Sequence, residues 1–364
     1  MVLSIHRFMK TVFVGRNLLL LLLTASICCC HNKTESYLES LHLKEISVEP
    51  SEIIDLEQYN IFLATHLVVY EDWAVLKESQ SANLVTILNL KTGEHFGLLR
   101  QGRGPGELQN PNSLTGKGED FTTGDTGTRT FVSVNIPRSV LEKSAVMDTI
   151  LKYGIKHSSI SNPVWVKDGC FVSSCDSYPE IGWYALRDPR GEVLSTVSPP
   201  FQLQLKEMEL AFRSSFLSSS FFITNPAGDR ICVSMNQSET ISFAVIENGQ
   251  LHELVRYENT PPPVHTIGGT THFDSDARQY FGASAADDRY VYLTYSGRKL
   301  FDSKATIPSY EKDHLIVYDW GGKPQYHFRL RDPVLGVYLY QGRLYCTTTY
   351  PTSKILVYNL PIYN

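Results

Sequence analysis

The chain has 364 residues, 33 Lys and Arg against 38 Asp and Glu, and a formal net charge of −5. The basic residues are spread rather than clustered, which excludes the electrostatic footprint of a nucleic-acid-binding protein. Tyr (20) and Phe (17) are abundant, and β-branched residues fill the short apolar runs, a composition that favours strands over helices.

The N-terminus reads as a targeting segment. Arg7, Lys10 and Arg16 precede an apolar run over 18–27 that ends in Cys28, Cys29 and Cys30. That run is shorter than the roughly 20 apolar residues a membrane-spanning helix needs, and it has the length of a secretory h-region. Cysteines directly after an h-region are the pattern of a lipoprotein signal, with Cys30 (or Cys29) carrying the lipid and Cys28 the third choice. The alternative is plain cleavage with a soluble product. We therefore expect a signal over 1–29, a tether over 30–40 and one domain over 41–364. Without residues 1–30 the chain holds 30 basic and 38 acidic groups, a formal −8. The expected location is the cell envelope, on a lipid anchor, with no nucleic-acid partner.

Beyond the tether, "LHLKEISVEP" (41–50) is strand-like. Short apolar runs then recur between turn signals: "FLATHLVVYEDWAVL", "NLVTILNL", "PVWVKDGCFVSS", "RICVSM", "ISFAVIENG", "RYVYLTYSG", "HLIVYDWGG" and "KILVYNL". They are too numerous for an ordinary sandwich and suit a propeller. A hairpin with a central glycine repeats at Gly93, Gly191, Gly249 and Gly322, separated by 98, 58 and 73 residues. The first gap has room for a copy without the glycine in "RTFVSVNIPRSVLEKSAVMDTILKY". This period of roughly 50 to 70 fits a four-stranded blade with variable loops.

The C-terminal stretch holds about three strands and then stops, leaving an edge that must be covered. The expected fold is therefore all-β, a six-bladed β-propeller with blades at about 59–108, 112–157, 159–207, 214–258, 277–332 and 333–364. The last blade is closed by an N-terminal strand at about 41–50.

The triple-Cys signal, "RQGRGPGEL" after the first blade, "RYVYLTYSGRKL" in the fifth and the "LIVYDWGGKP" that follows resemble the TolB-like six-bladed β-propeller lipoproteins of Bacteroidota. The resemblance covers nearly the whole chain beyond the signal and implies a fold more than a chemistry. Blade 2 departs most from that pattern, with "TGDTGTRTFVSV" in place of the usual Asp-turn strand pair.

Candidate sites are few. "LLRQGRGPGELQNP" (98–111) has the glycines of a phosphate loop, but no Lys-Ser/Thr follows and Pro105 removes a backbone donor. We expect a blade connector that needs its glycines for positive φ, with Arg100 and Arg103 available to an anion held by a nest of backbone N–H groups. In "GGTTHFDSDARQYF" (268–281), His272, Asp274 and Asp276 have metal-ligand chemistry without the spacing of a calcium loop. The expected structure there is a long loop, with Asp274 or Asp276 capping a short helical turn. Asn162 and Asn225 fall near inner-strand starts, where enzymatic propellers hold cations.

Cys170, Cys175, Cys232 and Cys346 show no CxxC, and an extended "GCFVSSC" holds its two sulfurs too far apart to bridge. We expect buried thiols acting as small apolar groups. No catalytic residue, cofactor or metal site is expected.

The function the sequence favours is a membrane-tethered, non-catalytic propeller that binds an envelope protein, a peptide or a glycan. The alternative is a hydrolase, lactonase or lyase using Ca2+ or another divalent metal in the central funnel.

Overall fold

In the computed structural model, residues 37–362 are described apart from 80–81, 105, 126, 153–162 and 176–181. They fall into two units divided after His42. Of the first, the described part is a single helical turn, Tyr37–Ser40, in which the Ser40 hydroxyl donates to the Tyr37 carbonyl at 2.7 Å.

The second unit is a six-bladed β-propeller, as the strand count requires. Blade 1 is Ala64–Tyr70, Trp73–Glu78, Asn83–Asn89 and His95–Gln101. Blade 2 is Thr115–Lys117, Asp120–Asp125, Thr130–Asn135 and Met147–Lys152. Blade 3 is Val164–Trp165, Phe171–Ser174, Tyr184–Arg187 and Val193–Val197. Blade 4 is Ser220–Thr224, Arg230–Met235, Thr240–Glu247 and Gln250–Glu258. Blade 5 is Arg278–Ala286, Tyr290–Lys299, Lys312–Asp319 and Pro324–Val334. Blade 6 takes Gly336–Tyr340, Arg343–Thr348 and Lys354–Asn359 from the C-terminus.

The ring closes through the N-terminus, at a different stretch from the one expected. Glu52–Asp55 pairs antiparallel with Lys354–Asn359 and completes blade 6. The strand within 41–50, Glu45–Val48, instead lies parallel to Pro324–Val334 as a fifth strand on blade 5. Pro50 lies between these two short strands, and a proline cannot donate to a ladder.

Local chemistry explains the blade hairpins. The four repeated glycines lie between third and fourth strands, with φ of 76°, 91°, 72° and 86°. In three of those turns a preceding side chain receives the backbone. Asn89 Oδ1 accepts from the Lys91 and Thr92 N–H groups, Asp188 Oδ1 from Arg190 and Glu192, and Asp319 Oδ1 from Gly321 and Lys323. Blade 2, which lacks the glycine, uses a helix at the same place. Asn135 caps Ile136–Glu142 by accepting from the Arg138 N–H, and Pro137 sits in the first turn.

The segment entering blade 4 is also helical, Gln202–Glu207 and Leu210–Ser218, so that blade begins at Ser220 rather than near 214.

The core is a series of layers between neighbouring blades, each built from the alternating inward residues of two sheets. Full burial of one such aliphatic side chain contributes about 1.5–3 kcal/mol. Polar clasps tie the layers together. Trp183 Nε1 donates to Ser220 Oγ at 2.8 Å, the Tyr295 hydroxyl to Glu239 at 2.6 Å, and the Thr349 N–H to Glu311 at 2.7 Å. Cys175, Cys232 and Cys346 are buried and Cys170 is half-buried.

Candidate functional site

The innermost strands of all six blades surround one cavity of about 490 Å³. Inner strands of a propeller run in one direction, so the turns after them collect at one mouth. Lys117 ends the inner strand of blade 2, while Lys167 follows that of blade 3 and Pro226–Gly228 that of blade 4. All of them line the cavity.

The walls combine rings from Trp165, Phe221 and Tyr338 with the hydroxyls of Ser113, Thr115 and Ser284. Among the described residues the lining carries two ammonium groups and no carboxylate. Lys167 Nζ also donates to the Ile246 carbonyl at 3.1 Å. His66 lines the cavity too. Burial, joined by the positive Lys77, pushes its imidazole down to about 3, so it is neutral at pH 7. At one point the wall is very tight. A Cβ on Gly116 would lie 2.3 Å from the Tyr338 hydroxyl, which explains a glycine inside an inner strand.

Asn225 lines this cavity, but its amide serves its own turn. Oδ1 accepts from the Asp229 and Arg230 N–H groups at 3.0 Å each, and Nδ2 donates to Asp229 Oδ1 at 2.8 Å. Asn162 lies outside the described residues, as do Cys28, Cys29 and Cys30.

The glycine-rich connector carries an anion of its own. Glu107 Oε2 accepts from the Gly104 N–H at 2.8 Å, and Glu107–Leu108 lies parallel to the outer strand of blade 1. Of Gly102, Gly104 and Gly106, Gly106 has positive φ, at 77°. A Cβ on Gly102 would lie 1.9 Å from Glu107 Oε2, so a side chain there would displace the carboxylate that accepts from the Gly104 N–H. Arg100 and Arg103 are exposed beside it.

The connector is then anchored by a residue that motif reading passed over, Asp125, which is fully buried. Its two oxygens accept from the Gln109, Asn110 and Gly127 N–H groups and from the Thr128 hydroxyl, at 2.8–2.9 Å. Burial alone would raise this carboxyl. The hydrogen bonds outweigh burial and hold it below its ordinary value. The only sequence signal was the departure of "TGDTGT" from the blade pattern.

The stretch 268–281 is not the expected loop with a capped helical turn. Val264–Ile267 and Thr270–Phe273 form a hairpin before blade 5, because Gly268 and Gly269 supply a two-residue turn with φ of 59° and 88°. The hairpin places His272 opposite His265, with ring centroids 5.8 Å apart. Asp274 bonds to His265 Nδ1 rather than to His272.

No protein-family model matches the sequence, and no curated protein matches it either. Solved structures do share the fold. A member of the DUF4221 family from Bacteroides vulgatus superposes with a TM-score of 0.50 at 10% identity, over 86% of this chain and 97% of that one. A Bacteroides fragilis protein described as exported gives 0.48 at 11% identity, over 86% and 99%. A calcium-binding protein from Agrobacterium tumefaciens, regucalcin, gives 0.49 at 8% identity, over 87% and 97%. At 10% identity the likeness to the DUF4221 protein shows the fold alone.

Proposed function

We propose that the chain is an exported, lipid-anchored propeller of the TolB-like kind that catalyses no reaction and binds a ligand at the lysine-bearing mouth of its channel. The observation that carries this reading is the lining of the cavity. Aromatic rings offer apolar faces of large area. Two exposed ammonium groups at the rim of a concave site attract negative charge. A volume of about 490 Å³ lies within the range of ordinary ligand pockets. Of the envelope proteins, peptides and glycans that a tethered propeller meets, the lining favours an acidic peptide segment or an acidic glycan. The anchor is assigned to Cys30 (or Cys29).

The test is a thermal-shift panel of acidic and neutral glycans, acidic and neutral peptides and envelope fractions, using the wild type, Lys117→Glu and Phe221→Ala. Ligands of the folded state raise the melting temperature. The expected result is a rise with acidic ligands that each substitution reduces, Lys117→Glu weakening binding by about tenfold or about 1.4 kcal/mol. Binding that both variants retain in full places the ligand elsewhere and refutes the channel site.

A further inference from the structure

We propose that Glu45, His314 and His327 form a binding site for a zinc-like divalent metal that fastens the N-terminal strand to the outer edge of blade 5. Blade register brings the three together although Glu45 is 269 residues from His314 and 282 from His327 in sequence. His314 and His327 lie on the third and fourth strands of blade 5, while Glu45 stands opposite His327 in the parallel pairing of Glu45–Val48. Both imidazoles are buried, whereas the Glu45 side chain is 48% exposed.

The geometry is specific. His314 Nδ1 lies 2.8 Å from His327 Nε2, and Glu45 Oε2 lies 3.7 Å from the first and 3.8 Å from the second. A triangle with those sides has a centre about 2.0 Å from every corner. Zinc bonds imidazole nitrogen at about 2.0–2.1 Å and carboxylate oxygen at about 2.0–2.2 Å. An ion displaced slightly from that centre towards solvent keeps all three bonds and leaves a fourth position for water. Two imidazoles and one carboxylate suit zinc and its neighbours in the transition series better than calcium or magnesium, which take oxygen ligands.

One neighbour opposes the ion. An Arg329 N–H points at His314 Nε2, which makes Nε2 the acceptor and puts the ring proton on Nδ1, facing His327. Metal binding requires the other tautomer. The proton moves from Nδ1 to Nε2, and Arg329 must leave. It has somewhere to go, because its side chain is 43% exposed and Asp313 already holds its second amino group at 2.8 Å. Asp313 also pairs with Arg298, so its one carboxylate is shared by two guanidinium groups and a net positive charge stays beside His314 until Arg329 swings out. Arg329 is therefore a gate whose removal strengthens binding, an effect that a merely structural histidine pair would not produce.

The experiment uses the full chain stripped with a chelator and titrated with Zn2+ alone, read by calorimetry and by melting temperature. The wild type is expected to take one equivalent and to melt higher when loaded. Glu45→Ala is expected to weaken binding at least tenfold without altering the metal-free melting temperature, since Glu45 is half exposed. His327→Gln weakens it further, and Arg329→Ala tightens it several-fold. His265→Ala removes the exposed His265–Asp274 pair and leaves binding unchanged. Zinc affinity that is insensitive to Glu45→Ala and Arg329→Ala, or that falls with His265→Ala, overturns the site, as does the absence of a bound equivalent in the wild type.

Discussion

Asp125→Asn is the substitution whose cost follows most directly from the structure. Each carboxylate oxygen takes two donors. Oδ1 accepts from the Asn110 and Gly127 N–H groups, and Oδ2 from the Gln109 N–H and the Thr128 hydroxyl. An asparagine keeps one oxygen. Its better orientation preserves the Oδ1 pair, because the Thr128 hydroxyl can rotate and accept from the new amide. That leaves the Gln109 N–H facing an NH2 group in a site without water access, and it removes the charge from the remaining bonds.

An unsatisfied buried donor costs about 1–3 kcal/mol, and lost charge assistance adds to it. We expect Asp125→Asn to cost about 2–3 kcal/mol and Asp125→Ala about 3–5 kcal/mol. The assay is urea unfolding, with the midpoint falling and the slope unchanged. The pH dependence gives an independent check. A carboxyl held below its unfolded value stabilises the fold above about pH 4 and loses that contribution as pH falls through its folded value. The gap between wild type and Asp125→Asn should therefore narrow below about pH 4. A loss under about 1 kcal/mol, or a gap constant with pH, refutes the anchor. Because residues 109–112 lead into the inner strand carrying Thr115 and Lys117, the same variant should also weaken ligands of the channel.

The other expectations concern a buried cation, the connector and the seam. Burial, joined by the positive Arg298 and only partly offset by Asp313, brings the Lys312 ammonium down to about 7. Between there and about 10.4 the unfolded chain holds the extra proton, so stability rises with pH across that window, by a ceiling of about 4 kcal/mol. Lys312→Met should be more stable than the wild type at pH 7 and lose that advantage by pH 10; a pH-independent difference refutes this account. Glu107→Ala should cost about 1 kcal/mol and, by emptying the Gly104 N–H, make the melting temperature respond to added phosphate where the wild type does not; an unresponsive variant removes the anion nest. Ile54→Asp places a charge where the closing strand packs on the layer between blades 6 and 1. It should cost about 2–4 kcal/mol, and a melt within 1 °C of the wild type would show that closure does not limit stability.

What the sequence makes legible follows from the range of the forces involved. Blades are readable because strand alternation and the Asx-glycine turns at 89–93, 188–191 and 319–322 are local, settled within about five residues. Even the exception was local, since the missing glycine in blade 2 coincides with the capped helix at 136–142. The seam was harder. Glu45–Val48 and Glu52–Asp55 are both four residues long, and each mixes exposed with half-buried residues and buries none fully. Their partners lie near the other end of the chain, so pattern alone could not say which strand closes blade 6.

The metal-ligand triangle was beyond reach for the same reason, carried further. It exists only because closure uses the second of these strands, which leaves the first to lie along blade 5 with Glu45 opposite His327. Asp125 differs again. Its "TGDTGT" context marked an irregular blade, but its role depends on four donors folding back over one buried carboxylate. An ion pair or hydrogen-bond cluster of this kind leaves no periodic trace. In a propeller, whose scaffold repeats, the residues that break the repeat are therefore where non-local chemistry should be sought first. Asp125 and the Glu45 triangle both stand at such breaks, one in the irregular blade and the other on the fifth strand that only blade 5 receives from the N-terminus.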